Sequence, residues 1–430
     1  MSGVLINILQ GVFGLIFFIA IAYLFSVNKK EVKWSLVARG LVLQIIIAVL
    51  LLKVPFFFEI FNYISGFFVM IFNFANKGAE FLFGKIATDN EMFGFIFALR
   101  VLPAIIFFSA LSSLLYHWGI LQKVVKVFAI LMQKSLKITG AESLAASANI
   151  FLGHTEAPLV VRPYLANMTR SELHCLITGG LSTISGAVLA AAVGMLGGDS
   201  IERQQFFATQ FLTASIISAP AAIVFSKILF PESEDITGKD KADIKIDKAV
   251  NMFDALANGA FDGLKLALNV ATMLLVFVSL IALLNYLLSD VIGFHTGLNE
   301  LIVSEKGLTL EYILGIIFAP IAWIMGISSD EIMQAGQLLG EKTVINEFYA
   351  YVSMEGLISS GALSNERNII ILTYALCGFA NFGSIGIMIG AISALEPSRK
   401  TDVAKLVLRA LLGGTLACFM TAVIAGLIFY

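Results

Sequence analysis

The 430-residue chain is 58% hydrophobic and 13% charged, with a formal net charge of −2. Soluble domains carry roughly a quarter charged residues, so at half that share too little polar surface exists to face water on every side. A soluble enzyme, a nucleic-acid binder and a disordered chain are excluded, and lipid is the main solvent of the fold.

A membrane crossing needs about 20 apolar residues. Val4–Val27 is uncharged and supplies the first. It is too long for the apolar core of a signal peptide and lacks a basic start and a small-residue cleavage site. Leu36–Leu52 is the second. Phe56–Ile86 is rich in Phe but broken by Glu59, Lys77, Glu80 and Lys85, the pattern of a helix lying along the interface. Phe93–Tyr116 is the third crossing, and Arg100 within it needs a polar or interfacial partner. The stretch 127–168 is apolar with polar residues in its middle, which predicts a re-entrant hairpin, because irregular backbone at membrane depth must line a cavity. Leu173–Leu196, Phe206–Phe230 and Leu264–Leu288 follow as crossings. A second hairpin is predicted over 310–361, and Ile369–Leu395 and Leu406–Tyr430 complete eight crossings. The fold class is thus an all-α polytopic membrane protein with eight transmembrane helices, two re-entrant helical hairpins and an interfacial helix.

Basic residues set the orientation. Lys29, Lys30 and Lys33, then Lys123, Lys126, Lys134 and Lys137, then the lysines between Pro231 and Lys248, and finally Arg399, Lys400 and Lys405 fall on one side if the crossings alternate. The opposite loops, Gly197–Gln205 and Ser289–Thr309, carry few. Both termini are therefore expected outside. Cys175, Cys377 and Cys418 match neither a disulfide framework nor a metal knuckle and read as apolar packing residues.

The two halves resemble each other. Each unit opens with a polar-centred hairpin, Gly153-His154-Thr155-Glu156-Ala157-Pro158 in one and Gly340-Glu341-Lys342-Thr343 followed by Asn346-Glu347-Phe348 in the other. Each continues into a span interrupted by glycine and small polar residues, at Thr178–Gly186 and at Cys377–Gly386. Three intervening crossings would make the repeat inverted, and paired broken helices of this kind point to a transporter's binding site. The expected divisions are 1–92 (N-terminal scaffold helices and interfacial helix), 93–126 (third helix), 127–230 (first transport repeat), 231–309 (inner loop, sixth helix and outer segment) and 310–430 (second transport repeat).

Glu156 and Glu347 carry most of the inference, since a carboxylate at membrane depth is costly unless paired or hydrated. They either pair inside the bundle, for instance with Arg162 or Lys342, or accept hydrogen bonds from a solute. Asn149, Thr183, Asn381 and Ser384 offer oxygens that fit Na⁺, or they hydrogen-bond between helices. His154 is a cavity residue or a satisfied core residue. The enzyme signatures H-E-x-x-H and G-x-S-x-G are absent, so an intramembrane hydrolase is disfavoured, as is a channel.

At these residues the chain resembles the concentrative nucleoside transporters. The likeness lies in Gly153–Pro158 with Leu159-Val160-Val161-Arg162-Pro163, in Asn346-Glu347-Phe348, and in Cys377-Gly378-Phe379-Ala380-Asn381-Phe382 with Ser384. It implies a homotrimer in the inner or plasma membrane, with a scaffold and a mobile transport domain in each protomer. It also implies import of nucleosides such as uridine or adenosine coupled to Na⁺, or to H⁺ in some bacterial members, with no cofactor and no catalysis. By motif position it places His154, Thr155 and Glu156 at the nucleobase with Val188 packed on it. Glu347, Asn381 and Ser384 fall at the ribose, with Phe379 beside the solute. The Na⁺ ligands it implies are Asn149, Thr183 and the carbonyls of Leu152 and Ile184. Related bacterial chains often carry Gln in place of His154; the histidine is expected to shift base preference and to make affinity pH-dependent.

Overall fold

A computed structural model describes residues 2–87, 90–93, 96–234, 249–302 and 307–429, and every regular element among them is helical. Most of the inner loop that contributes lysines to the orientation argument lies outside the described residues.

The chain opens with α1 (Ser2–Leu24), α2 (Trp34–Lys53) and α3 (Pro55–Phe83). Along α3, Ser65, Val69, Phe72, Ala75 and Ala79 are buried at helical spacing, while Phe67, Phe74 and Phe81 are exposed. One stripe therefore packs on the protein and the rest meets lipid. Next come α4 (Phe97–His117), α5 (Ile120–Leu136) and α6 (Gly140–Asn149). They are followed by α7 (Arg170–Ser182), α8 (Gly186–Gly197) and α9 (Ile201–Leu229). The second half contains α10 (Met252–Asn285), α11 (Leu310–Ile324), α12 (Ile332–Val344) and α13 (Glu347–Ser359). It ends with α14 (Glu366–Leu376), α15 (Phe382–Leu395) and α16 (Lys400–Ile428).

Among the described residues eight helices are long and apolar enough to cross a membrane, but the set differs from the one expected. It includes α3, whose expected interfacial placement rests on its charges and not on its length. It omits the seventh crossing, which is the two short helices α14 and α15. The sixth helix begins at Met252 instead of Leu264, because Asp262 sits within it and not in a loop before it. Both hairpins are shorter than expected. The first is α6 and the short turns to Leu165; the second is α12 and α13. The amphipathic helix α5 and the short apolar helix α11 precede them as separate elements.

With those boundaries the order of elements repeats. A long helix (α4, α10), a shorter one (α5, α11), a hairpin, a broken helix (α7–α8, α14–α15) and a final long helix (α9, α16) occur in each half. At the centre lie α7, α8 and α9, whose apolar windows are 94% buried, against 17% for α10. A helix apolar on all sides belongs inside; α10 and α3 keep theirs for lipid or another subunit. α1 and α2 pack on α9 and α16, so packing alone does not set 1–92 apart as a scaffold.

α4 and α10 cross in backbone contact. A Cβ at Gly259 would come within 2.8 Å of the Ala110 Cα, and one at Gly263 within 2.8 Å of the Ile106 Cα. Small residues four apart are how helices approach this closely in lipid. Arg100 finds the partner it needs, with its guanidinium 2.5 Å from Asp199 Oδ1 and its Nε donating to the Ala87 carbonyl at 2.8 Å.

Candidate functional site

Local sequence explains why the chain stops being helical at the centre. α6 starts on a capping box, Thr139 with Glu142, and α7 on another, Thr169 with Glu172; each satisfies two otherwise orphaned amides. After Ser182 the backbone turns extended, and Ser185 caps α8 by accepting from the Val188 amide at 3.3 Å. In the second half the break falls at Gly378, at φ +149°. A side chain there would meet Cys418 Sγ at 2.8 Å and the Ser182 carbonyl carbon at 3.0 Å, so the two broken helices touch at their breaks. Asn381 then caps α15 through the Ser384 amide at 2.8 Å, and Asn346 caps α13 through the Tyr349 amide at 2.9 Å.

The caps Ser185, Asn346 and Asn381 all line one cavity of about 400 Å³. Three helix N-termini thus converge on it, each bringing a partial positive charge and free amide donors. All eight residues expected to contact solute line this same cavity: His154, Thr155 and Glu156 from the first hairpin, Val188 from α8, Glu347 from the second hairpin, and Phe379, Asn381 and Ser384 from the second break.

Glu347 is buried at the first position of α13, and the Asn381 amide donates to its Oε2 at 2.8 Å. The alternative partner, Lys342, instead donates to the Ala375 carbonyl at 2.9 Å. The Glu156 carboxylate turns back on its own loop, accepting from the Gly153 amide at 3.4 Å. The His154 ring lies 4.3 Å from the Phe379 ring, and neither of its nitrogens has a hydrogen-bond partner although both are buried. Such a group is costly to leave unsatisfied, and both ring nitrogens are unspent at the cavity. His174, by contrast, is fully buried outside the cavity with Nδ1 2.7 Å from the Ser226 hydroxyl.

The four residues expected around Na⁺ are all buried beside the cavity. The Asn149 amide nitrogen donates to the Leu176 carbonyl at 3.3 Å while its Oδ1 has no partner, and the Thr183 hydroxyl bonds the Gly179 carbonyl at 3.0 Å. An unspent, neutral, hard oxygen suits an alkali cation. Among the described residues no group of three or more His, Cys, Asp or Glu could hold a metal. Gly179 and Gly180 separate this set from the cavity. A Cβ at Gly179 would sit 2.7 Å from the Asn149 amide, and one at Gly180 would sit 3.0 Å from the His154 Cβ.

Several cavity residues escaped the sequence reading. The capping role of Ser185 and Asn346 is recognisable only once helix ends are known. Asp262, Lys265 and Asn269 form the wall contributed by α10. Their spacing of three and four, continued by Met273, is a helical stripe that starts before the apolar run and was hidden by it.

The cavity continues past Glu156 and Asp262 into a wider one of about 1050 Å³, bounded by Tyr116, Arg162, Gly259 and Glu396. Those residues lie toward the ends of elements that the basic-residue pattern puts inside, so on that expected orientation the wider cavity faces inward.

Three family models match the chain: the Na⁺-dependent nucleoside transporter N-terminus over residues 13–86, nucleoside recognition over 98–199, and the Na⁺-dependent nucleoside transporter C-terminus over 210–426. The uncharacterized transporter YutK of Bacillus subtilis is 43% identical, over 98% of this chain and 99% of its own. The nucleoside permease NupC of Helicobacter pylori is 37% identical over 97% of each. CNTnw, solved in an inward-facing substrate-bound state, superposes with a TM-score of 0.88 at 39% identity over 98% of each chain.

Proposed function

The chain belongs to the concentrative nucleoside transporter family, and from that premise we propose that it imports nucleosides by Na⁺ symport through alternating access. One observation carries the reading: two hairpin tips and two helix breaks meet at one cavity, with an unpartnered Asn149 oxygen directly behind its wall.

In this mechanism Glu347, held by Asn381, accepts hydrogen bonds from the ribose hydroxyls, and Ser384 and the α15 N-terminus add a donor set. His154, Thr155 and Glu156 face the base edge, which packs against Val188 and Phe379. Na⁺ binds between Asn149 Oδ1, the Thr183 hydroxyl and the carbonyls of Leu152 and Ile184. Filling that site orders the first hairpin tip against the α7 break, which places His154 for the base. The two ligands thereby share one coupling free energy, equal in both directions. The repeats 127–230 and 310–430 then carry both across the membrane against α4 and α10, in a homotrimer seated in the plasma membrane. No bond is made or broken.

Purified protein in proteoliposomes, given labelled uridine and adenosine under an imposed Na⁺ gradient or pH gradient, tests this. Na⁺-driven uptake is expected, with KM raised roughly 10- to 100-fold in Glu347→Gln, because hydrogen bonds to a charged group contribute about 1.5–3 kcal/mol. Uptake indifferent to Na⁺ would overturn the symport reading.

A further inference from the structure

One buried carboxylate has no part in the site above. Glu341 lies on α12, one turn before the hairpin tip, and is fully buried. Its Oε1 accepts from the Gln337 amide at 2.8 Å, while its Oε2 has no hydrogen-bond partner. It does not line the nucleoside cavity.

The groups around it do not neutralise it. From α11 the acidic Glu311 faces it. From α13 come the Ser353 hydroxyl, a neutral donor within reach of the Glu341 carboxylate, and the Tyr349 hydroxyl, which interacts with both acids and bonds Glu311. Its neighbour on α12, Lys342, directs its ammonium to the Ala375 carbonyl on α14. The cation of α14, Arg367, is held by the carbonyls of Gly326 and Gly426. Glu331, just before α12, is occupied by Ser364, Asn365 and Asn368, and α15 carries no titratable residue. Nor can Glu341 withdraw, because a Cβ at Gly336 would lie 2.4 Å from the Gly315 carbonyl oxygen and one at Gly340 2.6 Å from the Leu314 Cβ. α12 is thus pressed onto α11 backbone to backbone.

An ionised carboxylate with a bare oxygen beside a second acid, at membrane depth, needs a positive ligand. A metal ion would need several oxygens, and the others here are engaged: Asn285 donates to Oε1 and Oε2 of Glu311 at 3.1 and 2.9 Å, and Tyr349 bonds Glu311 as well. A buried carboxylate with only neutral donors and a second acid around it holds a proton. We propose that Glu341 is a proton-binding site separate from the nucleoside and Na⁺ sites, loaded while the second repeat packs on α10 and discharged when the repeat moves against it. Asn285 belongs to α10, so the site lies where the mobile hairpin meets the helix it moves against. A proton gradient then adds to the Na⁺ drive. Only this coupling step rests on the transport reading; proton binding does not.

Infrared difference spectra of the purified full-length protein over a pH series, together with uridine uptake in proteoliposomes, test both parts. The expected result is a carbonyl-stretch band of a protonated carboxylic acid that is absent in Glu341→Gln and shifted in Glu341→Asp. In Glu341→Gln, uptake driven by Na⁺ alone should stay within about two-fold of wild type, while the increment added by an inward proton gradient disappears. A band unchanged in both variants overturns the proton site. A band that Na⁺ removes at constant pH overturns it in favour of a second cation site. Loss of the band with an unchanged proton-driven increment overturns the coupling. If no nucleoside is transported at all, the spectra alone still decide whether Glu341 binds a proton.

Discussion

At the scale of single residues, the cavity is defined by polar groups left without partners in a lipid-embedded fold. His154 has two such nitrogens in contact with the Phe379 ring. A neutral imidazole offers one donor and one acceptor at fixed ring positions, whereas the amide of a glutamine offers both and can exchange them by flipping. The histidine therefore reads one edge pattern of a base more strictly than glutamine would. In His154→Gln the uridine-to-adenosine ratio of kcat/KM should change by about five-fold, the value of one net hydrogen bond of about 1 kcal/mol. Competition uptake with the two nucleosides measures it, and an unchanged ratio would remove His154 from base recognition.

At the scale of elements, glycine pairs let the broken helix α7 approach the first hairpin. Gly179→Ala would place a methyl 2.7 Å from the Asn149 amide, displacing the residue whose oxygen is proposed to bind Na⁺. Overpacking of this kind costs roughly 1–3 kcal/mol. Half-maximal uptake should then need roughly ten-fold more Na⁺ while the protein still folds; a Na⁺ activation curve identical to wild type would detach Asn149 from the ion. These breaks were legible in the sequence because glycine and small polar residues inside an apolar run weaken a membrane helix unless its freed backbone faces a cavity. The beginning of α10 was not. Asp262 looks like a loop residue until the helix is known to carry it into the cavity wall, where its ion pair with Lys265 at 3.8 Å stays exposed. The division of each hairpin region into a separate leading helix and a shorter hairpin was equally hidden, since α5 and α11 are apolar enough to merge with their neighbours. The capping role of Ser185 and Asn346 was hidden for a related reason: one serine or asparagine signals a helix start only when the helix is already drawn.

At the scale of the whole molecule, orientation and conformation constrain each other. The lysine and arginine pattern puts the ends of α4 and α15 that carry Tyr116 and Glu396 inside, and the wide cavity opens between those ends. Ser112 lines that opening and not the solute cavity, and Cys175, Cys377 and Cys418 are all buried. A cysteine at Ser112 should therefore be the site that reacts with a membrane-impermeant maleimide, and only when the reagent is on the inner side. Inside-out vesicles carrying Ser112→Cys should label, and right-side-out vesicles should not. Labelling from the outer side alone would invert the topology, and with it the direction in which the two repeats carry solute. Labelling from both sides would mean that the opening exchanges between faces within the labelling time, as alternating access requires. In that case saturating nucleoside with Na⁺ should change the ratio of inner to outer labelling, because a ligand shifts a conformational equilibrium only by its difference in affinity for the two states. A ratio indifferent to both ligands would separate the opening from the transport cycle.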